Sequence, residues 1–544
     1  MTSGVTGDSL ATQKAITEEQ KKFLAEVLTY YKEFSGEKSD DERSRKRTAA
    51  AAYKVGLIEY RLGRMKESAP AFRMASEGYA VLVVDFPAVP TYRQDLGASH
   101  NNLGVLLKKL GMRAESEGEH RKALAIQEKL AADFPTEPAY RQELAGSHGN
   151  LGLVLAELGK PAKAEGEYRK ALAIQEKLAA EFPAVPEYRQ ELAKNHNNLG
   201  MLLVGLGKQS KAEVEYRNAL AIREKLAAEF PDVAEYRQDL AAIHNNLGAL
   251  LENLSMWAEA EAESRKALAI RENLAAEFLA VPVYRQEMAE SHFNLGLLHA
   301  GRGKRAEAEA EYYKALAIFE KLAADFPTIP TYRQALAGCH NNLGVLLAKL
   351  GKQAEVEVEY RKALAIFEKL AVDFPAVPVY RQNLAGSHNN MRLLFEDLRQ
   401  WVEAEAEFRK ALATLEKLAT DYPAVPEYRS DLVGGWYDFA CFFSLTSQKV
   451  VDNKQDYADR AMMMLHKAVK AGYNDYAHMA QDTDLDPLRD RADFKKLLES
   501  LQPKPKGKEP PRELAPPAAG RAELRPLTRP ARQVIAFPLP RTAR

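Results

Sequence analysis

Cysteine is nearly absent from the 544 residues. Cys339 and Cys441 stand about a hundred positions apart, which excludes both a disulfide framework and a Cys-x-x-Cys metal site. Such usage fits a reducing cytoplasm, where we expect the protein. Net charge is missing too: Lys plus Arg and Asp plus Glu are 76 each. No overall field therefore recruits nucleic acid, an acidic membrane or an acidic substrate. The balance hides an asymmetry, because the residues from Pro503 onward hold ten Lys or Arg against three Glu, +7, leaving −7 on the rest. No stretch approaches the roughly 18–20 apolar residues that a membrane span requires. The opening MTSGVTGDSLATQK lacks the apolar core of a signal peptide, so the chain reads as soluble and unexported.

What the chain has in abundance is repetition. Tyr-Arg recurs at Tyr92, Tyr140, Tyr188, Tyr236, Tyr284, Tyr332, Tyr380 and Tyr428, always 48 residues apart. A histidine keeps the same beat from His100 to His388, and a decayed copy lies at each end of the series. Leu96, His100, Leu103, Leu107 and Leu110 fall at steps of 4, 3, 4 and 3, one stripe of an amphipathic helix. With Pro90 before it and Gly111 behind, this spacing predicts a helix A over about Tyr92 to Leu110. Ala164, Tyr168, Ala171, Gln175, Leu178 and Phe182 predict a helix B from about Lys163 to Glu181, ended by Phe-Pro-Ala-Val-Pro. One such hairpin cannot bury its own apolar face, and stacking the hairpins does. The expected fold is all-α, a right-handed αα-hairpin superhelix of about eight repeats.

This pattern resembles the tetratricopeptide repeat (TPR). Leu199-Gly200 match the family's Leu-Gly pair, Ala212 and Ala219 its small positions and Tyr216 the aromatic between them. The long unit looks most like the kinesin-light-chain type, with histidine in the family's tryptophan position. Met391-Arg392 replaces Leu-Gly in one copy, where looser packing of A on B is expected. The segment Asp456 to Leu501 resembles the terminal cap of TPR regions attached to bacterial serine/threonine kinases. No glycine-rich loop, His-Arg-Asp or Asp-Phe-Gly accompanies it. The expected organisation is a disordered segment plus capping helix over 1–43, the TPR array over 44–445, a helical cap over 446–501 and a Pro/Arg-rich disordered tail over 502–544.

The resemblance implies a non-enzymatic scaffold that holds extended peptide segments of protein partners in a concave groove lined by the A helices. The alternative is a regulatory TPR subunit, or remnant, of a serine/threonine kinase signalling protein acting with a separately encoded enzyme. Carried over from the family, Asn102, Asn150, Asn198, Asn246, Asn294, Asn342 and Asn390 become clamps for a peptide backbone, to which an amide offers both donor and acceptor. Their competing role is to cap or bridge neighbouring helices. Near-identical repeats favour a repetitive or low-complexity partner, and self-association through an exposed stack end stays open.

Other constellations read as structure. The seven histidines in register sit on the apolar stripe. Equivalent positions of packed helices are at least 8–10 Å apart, too far to share one ion. Asp482, Asp484 and Asp486 mimic half an EF-hand, but Pro487 stands where that loop needs glycine, so helix capping before Leu488 is expected. Six Pro-x-x-P linkers, such as Pro87 to Pro90, read as stiffeners. The basic tail, with Phe537 as its one aromatic, is a weak candidate for nucleic acid. No cofactor, metal, small-molecule substrate or catalytic residue is expected.

Overall fold

The computed structural model describes residues 18–35, 41–423, 425–450 and 453–502. The leading segment and the Pro/Arg-rich tail, with the expectations placed on them, lie outside those residues. The described chain forms two compact units, the first ending at Leu298 and the second beginning at His299. Among the described residues every regular element is a helix.

Unit one opens with the capping helix Glu18–Ser35. Five helix pairs follow: Glu42–Arg61 with Met65–Asp85, Pro90–Lys109 with Arg113–Asp133, Pro138–Glu157 with Pro161–Glu181, Pro186–Gly205 with Gln209–Glu229, and Ala234–Asn253 with Trp257–Glu277. We call the members of a pair helix A and helix B. The unit boundary falls within the A-type helix Pro282–Gly301. Unit two carries the B-type helix Arg305–Asp325 and then three pairs: Pro330–Lys349 with Gln353–Asp373, Pro378–Asp397 with Trp401–Asp421, and Pro426–Lys449 with Lys454–Ala471. It closes with Tyr476–Gln481, a 3-10 turn Thr483–Leu488 and Ala492–Ser500. The degenerate copies at both ends thus form full hairpins. Except for the helices starting at Glu42 and Ala234, helix A begins at the proline itself, whose missing N–H costs nothing in a first helical turn.

Each recurring motif has a packing reason. The Leu-Gly glycine is where the aromatic of helix B lies against helix A. A Cβ on Gly200 would stand 2.7 Å from the Tyr216 ring, and one on Gly152 3.0 Å from Tyr168. Glycine at the A–B turn supplies left-handed backbone, as at Gly111 with φ 80°. Ser255 and Arg399 adopt φ 60° in the same place, strained by roughly 1–2 kcal/mol. The Tyr-Arg pair locks the linker. Tyr140 meets Phe134 at a tilt, 5.6 Å between ring centroids, and Arg141 bonds Glu181 at the far end of its own hairpin at 2.8 Å. Arg189 with Glu229 and Arg237 with Glu277 repeat this at 2.7 Å.

Where looser packing was expected, the structure differs. Arg392, in the glycine's place, lays its guanidinium over the Phe408 ring at 4.5 Å and is itself buried. A cation stacked on a ring fills the gap that glycine leaves elsewhere, so helices Pro378–Asp397 and Trp401–Asp421 pack closely. The capping of the 3-10 turn is as expected: Asp482 accepts from the Asp484 N–H at 3.0 Å and from the Tyr437 hydroxyl at 2.8 Å.

Between hairpins the buried contacts are individual. Gln127 faces Ser147, Gln175 accepts from Asn195 at 2.8 Å, Arg223 pairs with Asp239 at 2.8 Å, and Arg271 donates to Ser291 at 2.7 Å. Deleting residues 234–281 sets Arg223 against Ser291, a pairing that Arg271 already makes. Deleting 186–233 instead sets the Gln175 amide against Ile243. Both shortened chains should fold, since stability sums over neighbours. Urea denaturation should find the second less stable by about 1–3 kcal/mol, the penalty of an unsatisfied buried amide. Loss of helicity in both would contradict linear stacking.

Candidate functional site

Successive A helices touch directly, as Pro90–Lys109 does with Pro138–Glu157 and Pro138–Glu157 with Pro186–Gly205, whereas B helices pack chiefly on flanking A helices. Each unit therefore curves toward its A helices, and the A face is the inner one. Along it run the seven asparagines, in unequal states. Asn102 donates to the Tyr53 hydroxyl at 2.6 Å, Asn246 to Asn197 Oδ1 at 2.8 Å and Asn294 to Asn245 Oδ1 at 3.0 Å, each bridging to the preceding A helix. Asn342 is buried and donates to the Gly338 carbonyl at 2.8 Å, and Asn390 is fully buried. Asn150 and Asn198 are half-buried and make no hydrogen bond among the described residues.

The histidines sit inside the hairpins. Nδ1 of His100 donates to Glu119 Oε2 at 2.6 Å, and His148 with Glu167, His196 with Glu215, His340 with Glu359 and His388 with Glu407 do the same at that distance. His244 with Glu263 closes to 2.5 Å. A lysine three residues on often joins, as Lys266 does at 2.7 Å. Burial pulls the Glu119 carboxyl upward, but hydrogen bonds from His100 and Lys122 outweigh it and hold it at about 2. For Glu263 the His244 bond is the strongest influence, again giving about 2. These pairs clip helix A to helix B. Sequence reading placed the histidines in the core but missed their partners, although the glutamate 19 residues on keeps the same 48-residue beat. Among the described residues no cluster of three or more His, Cys, Asp or Glu is arranged to hold a metal ion.

One copy departs. His120 occupies the slot of Tyr168 and Tyr216, is 1% exposed and sits 3.0 Å from Asn101 Oδ1. Burial, then nearby Lys108, lowers it from 6.5 to about 4, while Glu119 pulls the other way. Its folded value lies below its unfolded one, so the stability it contributes is full above pH 6.5 and lost as pH falls toward 4. His120→Tyr should flatten thermal stability across that window, measurable by calorimetry at pH 7, 5.5 and 4. An unchanged pH dependence would contradict the assignment.

The sequence profile of the tetratricopeptide repeat matches residues 144–183, 197–232 and 294–327. A search of curated proteins finds no match. Among solved structures, BtubC (BKLC) from P. vanneervenii is similar at 25% identity over 47% of this chain and 92% of that one, TM-score 0.38. Apo RapI aligns at 14% identity over 78% and 99%, TM-score 0.47. A Rap protein complexed with Competence and Sporulation Factor aligns at 14% over 74% and 94%, TM-score 0.39. Three stretches of the chain thus match the tetratricopeptide repeat, and the stacked helix pairs are of the same repeat type. Among the described residues no helix is long and apolar enough to cross a membrane.

Proposed function

We propose that the inner A face of a unit holds an extended segment of a partner protein, that the asparagines of the series accessible on that face, Asn150 and Asn198 foremost, supply its backbone contacts while the buried Asn342 and Asn390 serve packing, and that the protein carries out no chemistry of its own. The carrying observation is a contrast between the faces. On the B helices the charges pair with one another: Glu117 lies between Arg121 and Lys160, and Glu165 between Arg169 and Lys208. The A helices from Pro90–Lys109 to Pro378–Asp397 carry instead a neutral amide at one repeat position, the group that best matches a peptide bond. Cys339 and Cys441, buried and not joined in a disulfide, support a reducing compartment such as the cytoplasm.

Random-peptide display against the protein tests this reading. Selected peptides should lose binding to a variant with Asn150, Asn198, Asn246 and Asn294 replaced by Ala, after circular dichroism shows equal helicity. Peptides that bind both proteins equally would move the site off this face.

A further inference from the structure

The first B helix departs from the outward face that the later ones share. In the seven B helices from Arg113–Asp133 to Trp401–Asp421, the positions of Lys122, Glu128 and Lys129 are charged in every copy except for Asn218 and Asn273. In Met65–Asp85 the same three positions hold Met74, Ala80 and Val81. Val84 is 77% exposed, Val81 48% and Met74 46%. With Glu77 between them, these residues fall at i, i+3, i+7 and i+10, one stripe of a helix. Val372 in unit two is as exposed as Val84, but Lys362 and Lys369 hold the positions around it. A lone exposed valine needs no explanation, whereas a contiguous apolar stripe in place of charges marks a docking surface.

The ground around the stripe is cationic. Residues 42–85 hold nine Lys or Arg against five Asp or Glu, whereas residues 234–277 hold four against eight. Arg43, Lys46 and Arg47 are exposed and fall at i, i+3 and i+4 in the first turns of Glu42–Arg61. Two contacts bring these turns to the end of the apolar stripe. Arg45 bonds Asp85, the neighbour of Val84, at 2.6 Å, and the Arg47 guanidinium lies 5.1 Å from the centre of the Phe34 ring on the capping helix. Phe34 in turn meets Tyr30 edge-on at 4.9 Å, and Tyr30 is 57% exposed. Aliphatic, aromatic and cationic groups thus converge on one corner of unit one.

We propose that this corner docks the protein on an anionic lipid surface. Met74, Val81, Val84 and Tyr30 enter the headgroup boundary, and Arg43, Lys46 and Arg47 meet the lipid phosphates. The B helices lie on the convex side of the unit, which a flat bilayer can touch. The chain as a whole is neutral, but screening confines each charge to a range of about 8–10 Å, so the local excess is what a surface meets. A second copy seated on the same stripe would set two basic clusters against each other. Nucleic acid would satisfy the cations and leave the apolar side chains in water. The proposal is independent of the reading of the A face as a peptide groove.

The test is cosedimentation of the full chain with vesicles of phosphatidylcholine alone and of phosphatidylcholine mixed equally with phosphatidylglycerol. The protein should pellet with the mixed vesicles only, and less so as salt is raised. Arg43→Gln/Lys46→Gln should weaken binding about tenfold or more. Met74→Lys/Ala80→Glu/Val81→Lys installs the residues of the later copies and adds one positive charge. A purely electrostatic surface would bind that variant more tightly, whereas lost apolar insertion should weaken it about tenfold. Glu77→Gln, which removes the acid from the stripe, should tighten binding. All these side chains are exposed, so each variant should keep its Tm. Equal pelleting with both vesicles, pelleting with neither, or unimpaired binding of the triple variant overturns the proposal. A DNA duplex bound as tightly as the mixed vesicles, and equally by the triple variant, overturns it in favour of nucleic acid. A dimer in sedimentation velocity that the triple variant dissolves, without vesicle binding, overturns it in favour of a second copy.

Discussion

Tyr168→Ala should lower stability by about 3–5 kcal/mol, the range for truncating a large buried aromatic. Tyr168 is 1% exposed and fills the space that Gly152 leaves between the helices of its hairpin. No partner side chain can swing into the void, because helix backbone lines one wall of it. The ring also belongs to the core cluster running from Leu124 to Leu298, so its loss weakens the hairpins on both sides. In a stack held by nearest neighbours the damage should appear as a split urea transition, with the flanking hairpins melting separately. Tyr168→Phe is the control. Phe72 and Phe408 occupy the same slot in other copies and are equally buried, so that change should be nearly neutral. A single unshifted transition for Tyr168→Ala would contradict the packing described above.

His244→Ala should be nearly as severe, at about 3 kcal/mol, the loss expected when a buried carboxylate is left without its hydrogen-bond partner. His244 is 4% exposed and Glu263 13%, so truncation leaves the carboxylate desolvated with Lys266 alone beside it. The loss should depend on pH with a defined sign. Glu263 is depressed from an ordinary 4.5 to about 2 in the fold. Its stabilisation is therefore full above pH 4.5 and disappears as pH falls toward 2, where wild type and variant should converge apart from packing. Replacing the pair together, as His244→Leu/Glu263→Met, should recover most of the loss, because two apolar side chains need no partner. A gap between wild type and His244→Ala that stays constant from pH 7 to 2.5 would show packing alone at work.

Most of the fold was legible in the sequence because the unit recurs without an insertion. The 4, 3, 4, 3 spacing of Leu96 to Leu110 and the proline breaks place each helix to within a few residues. The end copies were harder to see: the first keeps the turn glycine as Gly63 and the packing through Phe72, and the last has Trp436 where the histidine stands elsewhere. Arg392 shows the limit of reasoning from a motif: the missing glycine signalled a gap, and the ring stacking that fills it is a property of side chains meeting in space. The histidine–glutamate clips lay within reach, because both residues keep the 48-residue period.

The candidate site was less legible. Seven asparagines at one repeat position look equivalent in sequence, yet their states differ with what the preceding A helix offers: a tyrosine to Asn102, an asparagine to Asn246 and Asn294, and to Asn198 a glycine. Asn101 faces Ser147 at one interface, whereas Asn195 fills the place beside Gly149 at the next, so the asparagine changes sides of a contact that no single repeat contains.

By itself, then, the sequence determined the helices, their period and the stacking of hairpins, because an amphipathic stripe too wide for one hairpin leaves no other way to bury it. Only the tertiary structure decided which polar groups remain open. A hydrogen-bond partner 49 residues away becomes a neighbour only when two hairpins stack, and whether an amide is bound or free then depends on a single side chain across that contact.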